Sequence, residues 1–235
     1  MDNVNDLIHQ SEYNNRESAI DREGDKVFAD SDSSGLWRVY EKQDPYTSAI
    51  VLSPDASTAE QEFGHRIVAR NDGRTVVVSA PGKGQGEVHF LFRSSTEAGT
   101  TLQTQSTVTM TENNDNTSRL GESLSISTDD NFVVAGAPYT NAIDDDGSTR
   151  QIDSGLIKVY IWDPSTFKYG ILDTITAPTD GSTLNENANF GWAHKISEPG
   201  AESGRSTPTK YLFVSAPGHD SNQGRVYMYT WGIGA

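Results

Sequence analysis

Hydrophobic and polar positions along the chain form short apolar runs separated by turn-forming residues. Runs such as "TVVVSA" (75–80) and "NFVVAGA" (131–137) are apolar without clean alternation, whereas "LIKVYIW" (156–162) and "RVYMYTW" (225–231) alternate. Runs that are rich in β-branched and aromatic residues and bounded by Gly, Pro, Asn and Asp are typical of strands. Alternation indicates one face nearer solvent, and its absence predicts strands that are covered on both faces. No segment shows clear helical periodicity, although a short helix within the first 20 residues remains an alternative.

Three units of the sequence repeat the same three anchors in register. Each unit opens with an aromatic residue or Leu followed by Gly, reaches a small-small-Pro end of an apolar run, and then has a Gly that opens an alternating strand. The anchors are Phe63, Gly64, Pro81 and Gly86 in the first unit, Leu120, Gly121, Pro138 and Gly155 in the second, and Phe190, Gly191, Pro217 and Gly224 in the third. The segments between Pro and Gly differ in length, as loops do. Such recurrence indicates a repeat architecture.

A fourth, degraded copy lies upstream, where "VFADSDSSGLWRVY" (27–40) overlays "VSAPGKGQGEVHFL" without a gap. Its first strand is expected near residues 15–20, where the match is poor. Each unit has room for four strands, which in the second unit are "ESLSIS", "NFVVAGAP", "GLIKVYIW" and "GILDTITAP".

Tandem four-stranded units predict an all-β fold, a β-propeller or partial propeller of about four blades. A β-sandwich is the alternative, but a sandwich does not require recurring anchors. We assign residues 1–24 to an N-terminal polar segment, either a helix or a closing strand, and residues 25–235 to the propeller. The blades are expected at about 25–58, 59–112, 113–183 and 184–235. Whether the ring closes within the chain or is completed by a longer polypeptide is left open.

At these anchors the sequence resembles the FG-GAP repeat family, whose best-known members form the β-propeller head of integrin α subunits. The resemblance covers residues 63–231 well and 27–40 weakly, and only residues 136–138 spell a literal Gly-Ala-Pro. It implies protein or glycan recognition and surface or virion scaffolding more often than catalysis. The family often carries a calcium loop, Asp-x-Asp/Asn-x-Asp-Gly, between its first two strands. Here the loops read "ARNDGRT", "STDDN" and "SEPGAESGRSTPTK", so the family's calcium ligands do not transfer.

Composition narrows the classes of function. The chain of 235 residues carries 33 Asp and Glu against 18 Lys and Arg, a formal net charge of -15. An acidic surface repels phosphate backbones, which disfavours nucleic-acid binding. The sequence has no cysteine, which removes disulfides, thiolate zinc sites and cysteine nucleophiles. The N-terminus has no signal-peptide pattern, and no apolar run is long enough to span a bilayer.

The irregular insertions hold the residues that we expect to contact a partner. The acidic loop "IDDDGSTRQIDSG" (143–155) could gather carboxylates on Ca²⁺, with Asp144 and Asp146 as candidates, although its spacing fits no complete calcium loop. Residues 198–208 form the second insertion. Blade packing explains Trp192 less readily than it explains the other three tryptophans. The partner-binding candidates are Asp144, Asp145, Asp146, Asp153, Trp192, Glu198, Glu202 and Arg205.

The sequence contains no recognisable catalytic motif for a serine hydrolase, zinc protease, P-loop or dinucleotide fold. Carboxylates are abundant, but nothing selects a glycosidase pair. His65 and His194 follow Phe-Gly pairs, so we expect them to line the central channel.

We therefore predict a non-catalytic structural and interaction module, not an enzyme, whose loops contact a protein partner or further copies of the chain. We expect it in a virion tail, fibre or baseplate or on a cell surface, with no cofactor besides calcium in the acidic loop. Cell-surface glycan is a second partner class, whereas nucleic acid and membrane insertion are not expected. The alternatives are a glycan-binding, lectin-like propeller and the propeller domain of a larger hydrolase.

Overall fold

The computed structural model describes residues 18–20, 26–31, 37–42, 49–52, 62–94, 103–110, 118–143, 150–178, 186–197 and 209–232, and up to residue 52 only the strand backbone. The predicted sites at Asp144, Asp145, Asp146, Glu198, Glu202 and Arg205 lie outside these ranges.

The described residues form successive antiparallel sheets in which neighbouring strands in sequence pair in space. Sheet I contains β1 (Ser18–Ile20), β2 (Lys26–Ser31), β3 (Trp37–Lys42) and β4 (Ala49–Leu52). Sheet II contains β5 (Ile67–Ala69), β6 (Thr75–Ala80), β7 (Glu87–Phe92) and β8 (Gln103–Thr109). Strand β1 precedes residue 25, the expected start of the first blade.

Sheet III carries a small hairpin between its second and third strands. Its strands are β9 (Ser123–Ile126), β10 (Phe132–Ala137), the hairpin pair β11 (Ala142–Ile143) and β12 (Arg150–Gln151), then β13 (Leu156–Asp163) and β14 (Lys168–Thr176). The four-strand order is β14-β13-β10-β9, so "GILDTITAP" supplies the fourth strand as predicted.

Sheet IV has three strands among the described residues, β15 (His194–Ser197), β16 (Thr209–Ala216) and β17 (Arg225–Gly232). A short turn of helix, α1 (His219–Asn222), joins the last two, and its backbone is left-handed at residues 220–222. No described helix has the length and apolar character that crossing a membrane requires. These sheets make the protein all-β.

The second strands of sheets II and III are buried on both faces, as the unalternating runs predicted. In β6, Val76 and Val78 belong to one apolar cluster, whereas Val77 between them packs in another cluster with Val133 of sheet III. In β10, Val133 faces sheet II and Val134 packs with residues of sheet IV. The core is therefore divided into layers between successive sheets, and β9 contacts both β5 and β15.

Hydrogen bonds explain why the first two anchors recur together. The amide N of Gly64 donates to the carbonyl of Ser79 at 2.8 Å, and Gly121 donates to Gly136 at 2.8 Å. The same bond in sheet IV joins Gly191 to the carbonyl of Ser215 at 3.0 Å. The opening turn of each unit is thus bonded to the end of its own second strand.

The third anchor seats the opening turn of the next unit. Gly155 has φ of 85°, and a Cβ there would lie 2.1 Å from the carbonyl oxygen of Phe190. A Cβ on Gly86, whose φ is 101°, would lie 2.1 Å from the backbone N of Leu120. Only glycine combines a positive φ with such close backbone approach. Two of the repeated glycines therefore act as contacts between sheets.

Sheet IV leaves one face open. Ile157 and Val159 of β13 are fully buried against sheet IV. The residues at the equivalent positions of β17, counted from the third-anchor glycine, are Val226 and Met228, and they are 66% and 59% exposed. This side of sheet IV has the apolar composition of a covered face.

Candidate active site

One strained turn opens three successive sheets at the same place. The residue before each aromatic-Gly or Leu-Gly pair has a left-handed backbone, with φ of 54° at Glu62, 55° at Arg119 and 53° at Asn189. The residue after the Gly donates its N–H back to that residue's carbonyl, over 3.0, 3.1 and 3.1 Å respectively. A left-handed non-glycine residue costs about 1 kcal/mol, and such strain concentrates at functional sites. The turns present three pairs of side chains: Glu62 with His65, Arg119 with Glu122, and Asn189 with Trp192.

The first two pairs meet in a ring of ionisable side chains, which we call the charge quartet (Glu62, His65, Arg119 and Glu122). The Arg119 guanidinium donates from Nε to Glu122 Oε2 at 2.8 Å and from Nη2 to Glu62 Oε2 at 2.5 Å. His65 lies on the other side, with Nε2 3.3 Å from Glu122 Oε1 and Nδ1 3.6 Å from Glu62 Oε2. Both carboxylates therefore contact the Arg119 guanidinium and the His65 imidazole.

The quartet is partly buried, which strengthens the attraction between its charged groups while leaving the side chains accessible to a ligand. Its side chains are between 16% exposed, at Glu122, and 34% exposed, at Glu62. Burial opposes ionisation of Glu122, but its contacts with His65 and Arg119 outweigh burial and lower its pKa to about 2. Burial also acts against the charge on Arg119, yet its bonds to the two glutamates raise the pKa of Arg119 above its ordinary value. Glu122 is therefore an ionised carboxylate throughout the neutral range.

An aromatic pair flanks the quartet. Trp192, from the third turn, is 45% exposed, and its ring meets that of Tyr139 edge to face, with 5.9 Å between centroids. Tyr139 follows the second strand of sheet III and is half-buried. Burial and the negative charge of Glu122 both raise the pKa of Tyr139, which reflects its closeness to the quartet. The site thus joins two carboxylates, a guanidinium, an imidazole and an exposed indole.

Two of the partner-binding candidates selected from the sequence, Trp192 and Asp153, lie within the described residues. Trp192 lies at the site, as an exposed ring outside the apolar core. Asp153 is near it, since its charge acts on Tyr139, but its backbone is fixed by a bond from its N–H to Asn141 Oδ1 at 2.8 Å.

The two histidines that were expected on the channel differ. His65 belongs to the quartet. His194 begins β15 with Nδ1 2.8 Å from Ser125 Oγ, and burial lowers the pKa of His194 to about 4.

A second group of charged side chains, Lys210, Asp129 and Asp130, lies at the opposite end of β9. Lys210 is buried and places Nζ 2.6 Å from Asp129 Oδ2, and this contact helps to lower the pKa of Asp129 against the effect of burial. Asp130 next to it accepts from the backbone N of Asn71 at 2.9 Å. These bonds join sheet III to sheets II and IV, so we assign the group to stability.

Within the described ranges, no group of three or more metal-ligating side chains is assembled. The calcium candidates Asp144 and Asp146 lie outside those ranges.

Comparisons with known proteins give structural likenesses only. No protein-family model matches the chain, and neither does any curated protein. Among solved structures, the chain is similar to a GH43 endo-arabinanase from Bacillus licheniformis, at 14% identity and a TM-score of 0.43, over 91% of this chain and 70% of that one. It is also similar to a periplasmic gluconolactonase from Pseudomonas aeruginosa, at 14% identity and a TM-score of 0.36, over 93% and 70% of the two chains. A protein from Lactobacillus plantarum matches at 13% identity and a TM-score of 0.36, over 92% and 70%.

These comparisons correct the predicted function. The sequence predicted a non-catalytic scaffold and not an enzyme, whereas two of the three structures named above are enzymes. The sequence analysis searched for contiguous motifs, whereas the charge quartet is assembled from two separate repeats. We abandon the scaffold interpretation and take up the hydrolase alternative.

Proposed function

We propose that the chain is an FG-GAP-like β-propeller of about four blades, or part of one, and that it is a hydrolase of glycosidic bonds with its active site at the charge quartet. The succession of sheets and the repeated turns support the architecture. The observation that carries the activity is the pair of glutamates held on one guanidinium beside a histidine.

A pair of carboxyl groups is the usual equipment of a glycosidase. Retaining enzymes hold the two groups about 5 Å apart, and inverting enzymes separate them by about 6.5–9.5 Å to admit a water. Glu62 and Glu122 bind neighbouring N–H groups of Arg119, which keeps them close. The same contacts hold His65 Nε2 3.3 Å from Glu122 Oε1, which leaves no room for a water between these two groups and favours the retaining geometry.

The low pKa of Glu122 sets its role. A carboxylate with a pKa of about 2 is a poor proton acceptor at neutral pH, because general bases work best near the operating pH. It is, however, always ionised, as a nucleophile or a stabiliser of positive charge must be. Glu122 is therefore the nucleophile of the proposed reaction.

His65 supplies the proton. Histidine is the most frequent general acid and base in enzymes, and His65 lies against Glu122 without an intervening residue. In the first step the Glu122 carboxylate bonds to the anomeric carbon, the bond from that carbon to the leaving oxygen breaks, and this oxygen takes the proton of His65. In the second step water attacks the same carbon, gives a proton to His65 and releases Glu122. Arg119 and Glu62 hold the two reacting groups in place.

The experiment is a hydrolysis assay on a panel of neutral oligosaccharides, read by the release of reducing ends. We expect wild-type protein to cleave at least one of them and Glu122→Gln to lose at least about 10³-fold in kcat, since the nucleophile is removed. Glu186→Gln is the matched control, because Glu186 is an exposed glutamate outside the quartet. Equal activity of the two glutamine variants would reject the assignment.

A further inference from the structure

The geometry points to a substrate-binding subsite for neutral glycans on the exposed face of Trp192, supported by Tyr139 and continuous with the charge quartet. This inference rests on the proposed function for its place in catalysis, but it makes a separate claim about binding. It names both the class of ligand and the residue that recognises it.

Packing in the apolar core does not account for the position of Trp192, which lies outside that core. Its two equivalents in the repeated turn, His65 and Glu122, are members of the quartet, whereas Trp192 places a large apolar ring at the same position with 45% exposure. The ring is held from the side by the edge-to-face contact with Tyr139. A large ring held in place and open on one face suits stacking, since Trp offers large contact area at a small cost in conformational entropy.

The location ties this ring to the reacting groups. Trp192 directly follows Gly191, whose carbonyl accepts from Ser123 Oγ at 2.7 Å, and Ser123 directly follows Glu122. The charges of Glu122 and Arg119 both act on the pKa of Tyr139, so Tyr139 lies close to them. A sugar ring stacked on Trp192 would therefore lie next to the carboxylates, with Tyr139 and Asn189 at its edge as polar neighbours.

The charge of the site selects neutral sugars over acidic ones. Arg119 donates to both glutamates, so its positive charge is balanced inside the quartet. The chain as a whole carries a formal net charge of -15, which repels polyanions such as uronate or sulfated polymers. A neutral oligosaccharide is not repelled in this way, and it still presents the apolar ring face that stacks on indole.

The test is calorimetric titration of Glu122→Gln, which is designed to bind without turnover, with neutral hexasaccharides of glucose, xylose, mannose and arabinose, and with hexagalacturonate as the acidic comparison. We expect at least one neutral ligand to bind, and adding Trp192→Ala to weaken that binding by at least about tenfold. Phe167→Ala is the matched control, because Phe167 is 46% exposed on the β13–β14 turn. It should leave the affinity unchanged.

Each outcome decides between the two claims. Binding that depends on Trp192, without hydrolysis by the wild type, keeps the subsite and rejects the proposed activity. Hydrolysis with no effect of Trp192→Ala on affinity rejects the subsite and keeps the activity. Tighter binding of hexagalacturonate, or no binding of any ligand, overturns the inference. If Trp192→Ala is misfolded by circular dichroism, Trp192→Phe replaces it, and a several-fold loss of affinity is then expected.

Discussion

Replacing Glu122 by Gln tests the electrostatics of the site independently of any substrate. Contacts with His65 and Arg119 lower the pKa of Glu122 from 4.5 to about 2 in the folded protein. The difference between these pKa values corresponds to about 3 kcal/mol of folding free energy at pH 7. Because the folded pKa is the lower one, this contribution is complete above the unfolded pKa and disappears as the pH falls through the folded pKa. About 1.4 kcal/mol should remain at pH 3 and less than about 0.5 kcal/mol at pH 2.

The assay is urea unfolding of wild type and Glu122→Gln, followed by fluorescence at several pH values between 7 and 2. The gap in unfolding free energy between the two proteins should approach about 3 kcal/mol at pH 7 and close steadily below pH 4.5, because the unfolded wild type takes up a proton there while the folded protein stays ionised, and the variant has no carboxyl group to protonate. Glu186→Gln, an exposed substitution of the same kind, should show a gap below about 0.5 kcal/mol at every pH. A gap for Glu122→Gln that does not change with pH would mean that the folded protein does not lower the pKa of Glu122.

Three further predictions concern the fold. Gly155→Ala should cost at least about 3 kcal/mol in thermal unfolding, because a Cβ would lie 2.1 Å from a backbone oxygen, whereas Gly170→Ala, with nothing within 4 Å, should be neutral or slightly stabilising. Asp129→Ala should cost about 3 kcal/mol in urea unfolding, since it takes the carboxylate from a buried ammonium, and adding Lys210→Met should recover part of that loss. Val226→Ser, on the open face of sheet IV, should change the unfolding free energy by less than about 0.5 kcal/mol, and a larger loss would mean that this face is covered in solution.

The strands were predictable because their signals are local. Apolar runs such as "TVVVSA" combine strand propensity with double-sided burial, and the structure places them at the centre of the sheets. The repeat anchors were also visible in the sequence, but the contacts that explain why they recur were not. That Gly155 contacts the turn at Phe190 is a contact between units, which the composition of either unit alone does not reveal.

The site was missed because its members come from two repeats and carry no motif. A usable signal was present in the register of the repeats. Aligning them on the first-anchor glycine puts His65, Glu122 and Trp192 at one position, and only the last was selected as a binding residue. Positions that a repeat turn holds on one rim, but fills with different polar or aromatic residues, are candidates for function. The ion pairs and the pKa of Glu122 could not be predicted, since they depend on side-chain distances across sheets.

Trapping a covalent sugar adduct on Glu122 tests the proposed activity most directly. The oligosaccharide that the protein cleaves fastest would be converted to its 2-deoxy-2-fluoro glycoside with a good leaving group, incubated with the protein, and the adduct mapped by peptide mass spectrometry. We expect one sugar per chain, attached to Glu122, with loss of activity in proportion to labelling. Labelling at another residue, or cleavage of the parent sugar with no labelling at all, would contradict it.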